Sequence, residues 1–176
     1  MGDSGSKVAS DKQLRSEKNS LREVQLAVRR TLLEVLATQN SKPDLAPADG
    51  ELAQATVLVA CSGGADSLAL AAALAYVAKP LPVSIGAIIV DHQLQPGSAQ
   101  VAAQAADQCA RLGFTDVQVV VIEVPQAPGS GGLEDVARKH RYQAFADAAA
   151  KREAQAIFLG HTLDDQAETV LMRLTR

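Results

Sequence analysis

Aromatic residues make up only 3% of the 176-residue chain and tryptophan is absent, so no core can be built around large rings. Hydrophobic residues still reach 47%. The supply is Ala, Val, Leu and Ile, which suits valine-rich strands packed between alanine-rich helices. Cysteine is scarce as well. Cys61 and Cys109 are far apart and form no C-x-x-C pair, so neither a sequence-local metal knuckle nor a local redox dithiol is indicated, and a reduced, cytoplasmic compartment is expected. No apolar run reaches the length of a membrane span, and the polar N-terminus has no signal-peptide core. A basic surplus is missing too. The formal net charge of -3 gives no electrostatic footprint for nucleic acid over the chain as a whole, so any main grip on RNA must lie elsewhere. The length allows one domain with tails.

What is present centres on Cys61-Ser62-Gly63-Gly64-Ala65-Asp66-Ser67, between the β-branched run Thr56 to Ala60 and the Ala/Leu-rich run Leu68 to Val77. This reads as strand, glycine-rich turn and helix. Paired glycines permit positive φ and close approach of a ligand, and the following helix points free N–H groups and its positive dipole end at the turn. Such a site suits an anion, phosphate above all. No Lys follows the glycines as in a Walker A loop. Asp66 stands there instead, and a carboxylate beside phosphate requires a cation such as Mg2+ between them. The alternative is an ordinary strand–helix connection with Ser67 or Asp66 as N-cap.

Met1 to Ser20 has almost no apolar residues and is expected to form a disordered leader. Met1-Gly2-Asp3-Ser4-Gly5-Ser6 also fits the short myristoylation pattern, whose three fixed positions carry little information. Apolar residues at Leu21, Val24, Val28, Leu32 and Val35/Leu36 predict an amphipathic helix ending near Thr38, followed by a linker over 40–54. After the loop and its helix, Val83 to Val90 reads as a second strand ending at Asp91-His92, and its continuous apolarity implies burial on both faces. Ser98 is expected to cap a helix to about Leu112, with Gly113 at C′. Val117 to Val124 gives a third strand, 125–132 a Pro/Gly-rich functional loop, Leu133 to Lys151 a helix and Ala156 to Gly160 a fourth strand. The block His161 to Glu168 and a last helix complete the chain. The expected fold is α/β, a Rossmann-like open parallel sheet with helices on both faces. Its division is 1–20 leader, 21–54 helix and linker, and 55–176 catalytic domain.

Ligands of such sheets bind at the carboxyl ends of the strands, where Cys61 to Ser67, Asp91-His92, the 125–132 loop and His161 to Asp165 would converge. Asp66 with Asp164/Asp165 supplies hard oxygen ligands for Mg2+, helix capping being the alternative for the latter pair. His161 and His92 are acid/base or phosphate-binding candidates, though a lone loop His is often structural. Arg138 and Arg141, neighbours on one helix, can clamp an anion or can form a solvated charged face with Glu134 and Asp135. Cys61 reads as a small residue packed at a strand end, with no dedicated base beside it.

Taken together, S-G-G-A-D-S, Val90-Asp91-His92, Glu134-Asp135-Val136-Ala137-Arg138 with Arg141-Tyr142, and G-H-T-L-D-D-Q-A-E-T over 160–169 resemble the tRNA(Ile)-lysidine synthetase family of PP-loop ATP pyrophosphatases. The resemblance covers about Ala55 to Arg176. It implies ATP bound with its pyrophosphate portion at Ser62, Gly63, Gly64, Ala65, Asp66 and Ser67, and Mg2+ at Asp66 and Asp164. By the same resemblance Asp66, Arg138, His161 and Asp165 carry catalysis. It further implies attack of the wobble cytidine of tRNA(Ile), with its CAU anticodon, on ATP, and displacement of AMP by free L-lysine. A homodimer is compatible with it. The family commonly has Gly after V-D-H and Arg two residues later, where this chain has Gln93 and Gln95, and it continues into another strand and a C-terminal tRNA-binding region. Rival readings are a PP-loop tRNA thiolase, for which the sulfur-carrying cysteines are missing, and a non-catalytic adenine-nucleotide-binding module, which needs no second acidic cluster.

Overall fold

Valine- and isoleucine-rich runs without polar alternation can be buried only if helices cover both sides of the sheet they form, and the computed structural model arranges them in this way. It describes residues 4–40, 55–93, 95–123 and 133–160. Along the chain these form α1 (Ser4–Asn40), β1 (Ala55–Ala60), α2 (Ala65–Ala78), β2 (Val83–Asp91), α3 (Ser98–Leu112), β3 (Asp116–Val121), α4 (Leu133–Lys151) and β4 (Ala156–Leu159). The four strands are parallel in the order β3-β2-β1-β4. The chain therefore steps from β1 to β2 to β3 in one direction and then returns to the far side of β1. That reversal opens a crevice at the carboxyl ends of the strands, beside β1.

The period-2 geometry of each strand sorts its side chains between two cores. Val57, Val59, Ala87, Ile89, Ala156 and Phe158 face α2, α3 and the Val28, Leu32 and Val35 stripe of α1. Leu58, Ile88, Ile157 and Leu159 face Phe145, Ala148 and Ala149 of α4. Burial of each large residue contributes about 1.5–3 kcal/mol. Gly86 of β2 opposes Leu58 of β1 in the ladder. A Cβ on Gly86 would stand 2.7 Å from Leu58 Cδ2, so the leucine occupies space that only glycine leaves.

Several boundaries differ from the sequence reading, three of them informatively. The first helix begins at Ser4 rather than Leu21, so 4–20, expected as a tail, is helical backbone; its Lys, Gln, Leu, Arg and Glu residues have good helix propensity. Ser98 does not cap α3; Gly97, at φ 85, is the N-cap without a side-chain bond, and Ser98 is the first helical residue. The third strand ends at Val121 instead of Val124. Gly113 ends α3 as expected, at φ 102, with its N–H donating to Ala110 O at 3.0 Å. The 125–132 loop, the last helix and the chain's end lie outside the described residues.

Candidate functional site

Past β1, Cys61 N still donates to Ile88 O at 2.9 Å, which carries the backbone to the sheet edge before it turns. Gly63 makes the turn at φ 83, a left-handed conformation that favours glycine. Its missing Cβ would lie 3.3 Å from Ala105 Cβ, so the turn rests directly on α3. Gly64, expected to share the positive φ, is extended at φ -73 and ψ 159 and forms the N-cap of α2 without a side-chain bond. Neither Ser67 nor Asp66 caps the helix. Ser67 is turned inward and buried. Its Oγ donates to Gly64 O at 2.9 Å, accepts from Ser62 N at 3.2 Å, and lies 3.2 Å from Ser62 Oγ and 3.7 Å from Cys61 Sγ. One hydroxyl thus fixes the shape of the loop. The first N–H groups of α2 have no side-chain cap, and an anion is the partner their geometry favours. Ser62, Ala65 and Asp66 are exposed beside them.

A cleft of about 300 Å³ adjoins the loop. Cys61, Ser62 and Ser67 line it from the loop, His92 from the end of β2, Arg141, Tyr142 and Phe145 from α4, and Gly160 from the end of β4. His92 Nδ1 is buried and has no hydrogen-bond partner among the described residues. Burial and then the Arg141 charge push the imidazole pKa below 6.5, with Asp91 pulling the other way. The ring is therefore a neutral group at physiological pH, able to accept or donate a hydrogen bond. Asp91 beside it is buried, and its Oδ1 accepts from Gln93 N at 2.9 Å. Gln93 itself sits at φ 53, in the left-handed region that favours glycine.

Arg138 and Arg141 take different places. Arg141 lines the cleft, whereas Arg138 is exposed and lies over the Tyr142 ring at 5.4 Å from its centroid. Tyr142 meets Phe145 edge to face at 6.0 Å. Arg138 thus reaches the cleft wall through an aromatic pair, a cation–π contact that steadies Tyr142. The side chains of Glu134 and Asp135, and the residues His161, Asp164 and Asp165, lie outside the described residues. Gly160 marks where that acidic block departs. A Cβ added there would be 3.5 Å from Asp66 O and from Ser67 Cα, so the chain leaves β4 against the first turn of α2. Among the described residues no three His, Cys, Asp or Glu side chains cluster. Asp66 is the hard oxygen ligand that the loop itself offers, and its exposure suits a hydrated divalent cation.

The structure also brings together two residues that sequence spacing kept apart. Cys61 and Cys109 are free, buried thiols in the same core cluster. Cys109 lowers the Cys61 pKa to about 6 against the effect of burial, helped by Gly63 N–H and the Ser67 hydroxyl. The Cys109 thiol is pushed up by Cys61 and by burial.

A PP-loop domain family matches residues 26–176. The chain belongs to the PP-loop family. The match begins within α1, whose Val28, Leu32 and Val35 are buried in the same core as the sheet. Among curated relatives, the chain is 48% identical over 153 residues to a tRNA(Ile)-lysidine synthase of Salinispora tropica, covering 87% of this chain and 40% of that protein. It is 55% identical over 122 residues to the tRNA(Ile)-lysidine synthase of Leifsonia xyli subsp. xyli, covering 69% and 36%. The chain thus spans about 40% of the length of the curated relatives it matches. Among solved structures, the U34-tRNA thiolase NcsA of Methanococcus maripaludis superposes with a TM-score of 0.61 at 19% identity, covering 82% of this chain and 46% of that one. That likeness establishes the PP-loop fold, an open parallel α/β sheet.

Tyr142 and Phe145 were missed as site residues. Their signal was available in the α4 stripe Tyr142, Phe145, Ala148 and Ala149, whose helical spacing marks the sheet-facing side. Which end of that stripe meets the cleft depends on the strand order.

Proposed function

We propose that the chain is the ATP-binding catalytic domain of an enzyme that attaches lysine to the wobble cytidine of tRNA(Ile) with a CAU anticodon. The reading is carried by one observation: an uncapped α2 N-terminus, shaped by Ser67 and Gly63, beside an exposed Asp66. Similarity to named lysidine synthases supports the choice of substrates. The catalytic unit is 55–176, braced by the C-terminal half of α1, with 1–20 outside it.

In this reading Ser62, Gly63, Gly64, Ala65, Asp66 and Ser67 receive the pyrophosphate portion of ATP, as helix N–H groups and loop amides suit its charge. Asp66 and Asp164 would hold Mg2+, which would offset polyphosphate charge. The cytidine carbonyl oxygen attacks the α-phosphate, pyrophosphate leaves, and the lysine ε-amine displaces AMP from the adenylated base. Adenylation converts a poor leaving oxygen into a good one, so the protein's part is mainly positioning and charge compensation. His161 and Asp165 act at the phosphate end, Arg138 steadies the Tyr142 wall, and Arg141 faces the reactants. The reaction belongs to the cytoplasm, where mature tRNA is modified. No helix among the described residues is long and apolar enough to cross a membrane.

The test uses the full-length protein with ATP, labelled lysine and tRNA(Ile). Lysine incorporation is expected, and Asp66→Ala is expected to reduce it by at least about 100-fold, a loss typical of removing a group that stabilises transition-state charge. Pyrophosphate release without lysine transfer would instead point to another acceptor, as in a thiolase.

A further inference from the structure

Of the two strands that end the sheet, β4 is buried along its whole length, whereas β3 is partly open, with Val119 40% and Val121 55% exposed. Among the described residues β3 pairs with β2 alone. The ladder fixes which of its backbone groups stay unused. Ile122 N donates to Asp91 O, so the N–H and C=O groups of Gln118, Val120 and Ile122 point toward β2, and those of Val117, Val119 and Val121 point away from the sheet. A cleft of about 250 Å³ lies over Gln118, Val120 and Ile122, beside α4 rather than beneath it, which leaves the edge open to an incoming strand. From Val117 to Ile122 there is also no charge, proline or glycine. Such residues are the usual guards of an exposed edge. We propose that β3 is a self-association edge, pairing antiparallel with β3 of a second copy about a two-fold axis at Val119.

A second copy is the occupant because the edge is complementary to itself. A two-fold axis normal to the sheet keeps the faces of both copies aligned, so opposed residues must share a face, and the outward-pointing residues must exchange the bonds. Centring the axis on Val119 meets both conditions. Val119 opposes its own copy, and Val117 opposes Val121 on either side. All three lie on the face of Val117, which packs against the core under α3, so they form one row of β-branched pairs that covers both exposed valines. On the other face Gln118 opposes Val120. Asp116, tied to Arg152, opposes Ile122, so like charges do not meet. Moving the axis to Gln118 or Val120 keeps the faces but sets Val121 against Thr115 or Val117 against Glu123, which breaks the row. The paired strands run in opposite directions, so the two phosphate loops face opposite ends of the assembly and each cleft stays open.

The contact does not depend on the ligation reading. It is short, one strand from each copy, so a reversible dimer is expected at micromolar concentrations. Sedimentation of the chain over that range is expected to show monomer passing to dimer. Val119→Lys sets two ammonium groups against each other on the axis and is expected to weaken the dimer at least about tenfold, with the urea midpoint near that of the wild type. Tyr76→Lys, at an exposed site on α2, is expected to leave the dimer unchanged. Val119→Cys is expected to be joined to a second copy by a short bis-maleimide, because Cys61 and Cys109 are buried, whereas Tyr76→Cys is not. The cross-link decides the matter if Val119→Lys does not fold. A chain that stays monomeric throughout, its edge left to a strand of some other protein, overturns the proposal. So does a dimer that Val119→Lys leaves intact or that Tyr76→Lys weakens equally, and so does Val119→Cys that remains unlinked.

Discussion

The two edges of the sheet treat their polar groups in opposite ways. At the amino edge they close on one another. Arg152, just past α4, pairs with Asp116 at the start of β3 through its Nε and through Nη2 to Oδ1 at 2.7 Å, and Nη1 donates to Gln118 Oε1 at 2.8 Å. Gln155 N donates to Thr56 O at 2.8 Å, and Thr56 N donates to Gln155 Oε1 at 2.5 Å, which ties β1 to β4. At the carboxyl edge, by contrast, the α2 N-terminus is uncapped, His92 Nδ1 lacks a partner among the described residues, and Arg141 faces a cleft. A buried polar group left unmatched costs free energy that the matched edge does not incur. The difference separates a clamp from a reactive site, and stability from recognition.

Substitutions at the two edges should therefore separate along these lines. The largest effect is expected for Gly63→Ala, which forces a side chain into φ 83 and against Ala105. A cost of about 1–2 kcal/mol in stability follows from the left-handed backbone alone. ATP titration should show a severe loss of affinity besides. Arg152→Ala should do the reverse, lowering stability in urea melts by about 1 kcal/mol while ATP affinity stays unchanged, because the pair is partly exposed. Loss of ATP binding in that variant would break the distinction between the edges.

The pH dependence sharpens it further. Bonding to Arg152 holds the Asp116 carboxyl below its usual 3.8. Its contribution is complete above that value and is lost as pH falls through the lowered one. His92 has its pKa lowered from 6.5, so the unfolded chain takes up its proton first. Stability from this residue is thus complete above about 6.5 and declines as pH falls toward the folded value. Urea midpoints measured from pH 8 to pH 5 should drop less for His92→Gln than for the wild type, and Arg152→Ala should not alter that interval. The smallest effect belongs to Gln93→Gly. Relief of φ 53 is offset by the greater backbone freedom of glycine in the unfolded chain, leaving stability within about 0.5 kcal/mol by urea melt.

Much of the fold was legible because its signals are local. Continuous apolarity in 83–90 required two covered faces, and α3 and α4 run over the spans predicted, with Gly113 ending the former. The loop was legible for the same reason: its glycines, acid and serines are contiguous. The α3 cap was misread because Gly97 ends its turn through backbone conformation, which leaves no side-chain signature. Arg138 and Arg141 show a different limit. Three residues apart they are neighbours on α4, but only the sheet decides that Arg141 looks into the cleft while Arg138 covers Tyr142. The approach of Gly63 to Ala105 could not be foreseen without the topology that lays the loop on α3.

Gly86 has an influence well beyond its size. Because Leu58 fills the space where its side chain would be, sliding β1 by two residues along β2 would set that leucine against Ser84 or Ile88. A slip of one residue would turn every β1 side chain to the wrong core. The missing side chain in mid-sheet therefore acts as a key in its slot, and the alignment it enforces delivers Cys61 beside Ile88 and brings the loop and His92 into the lining of one cleft. A bulkier residue at 86, remote from any reactant, is the kind of change that would misalign those walls while leaving every site residue in place in the sequence.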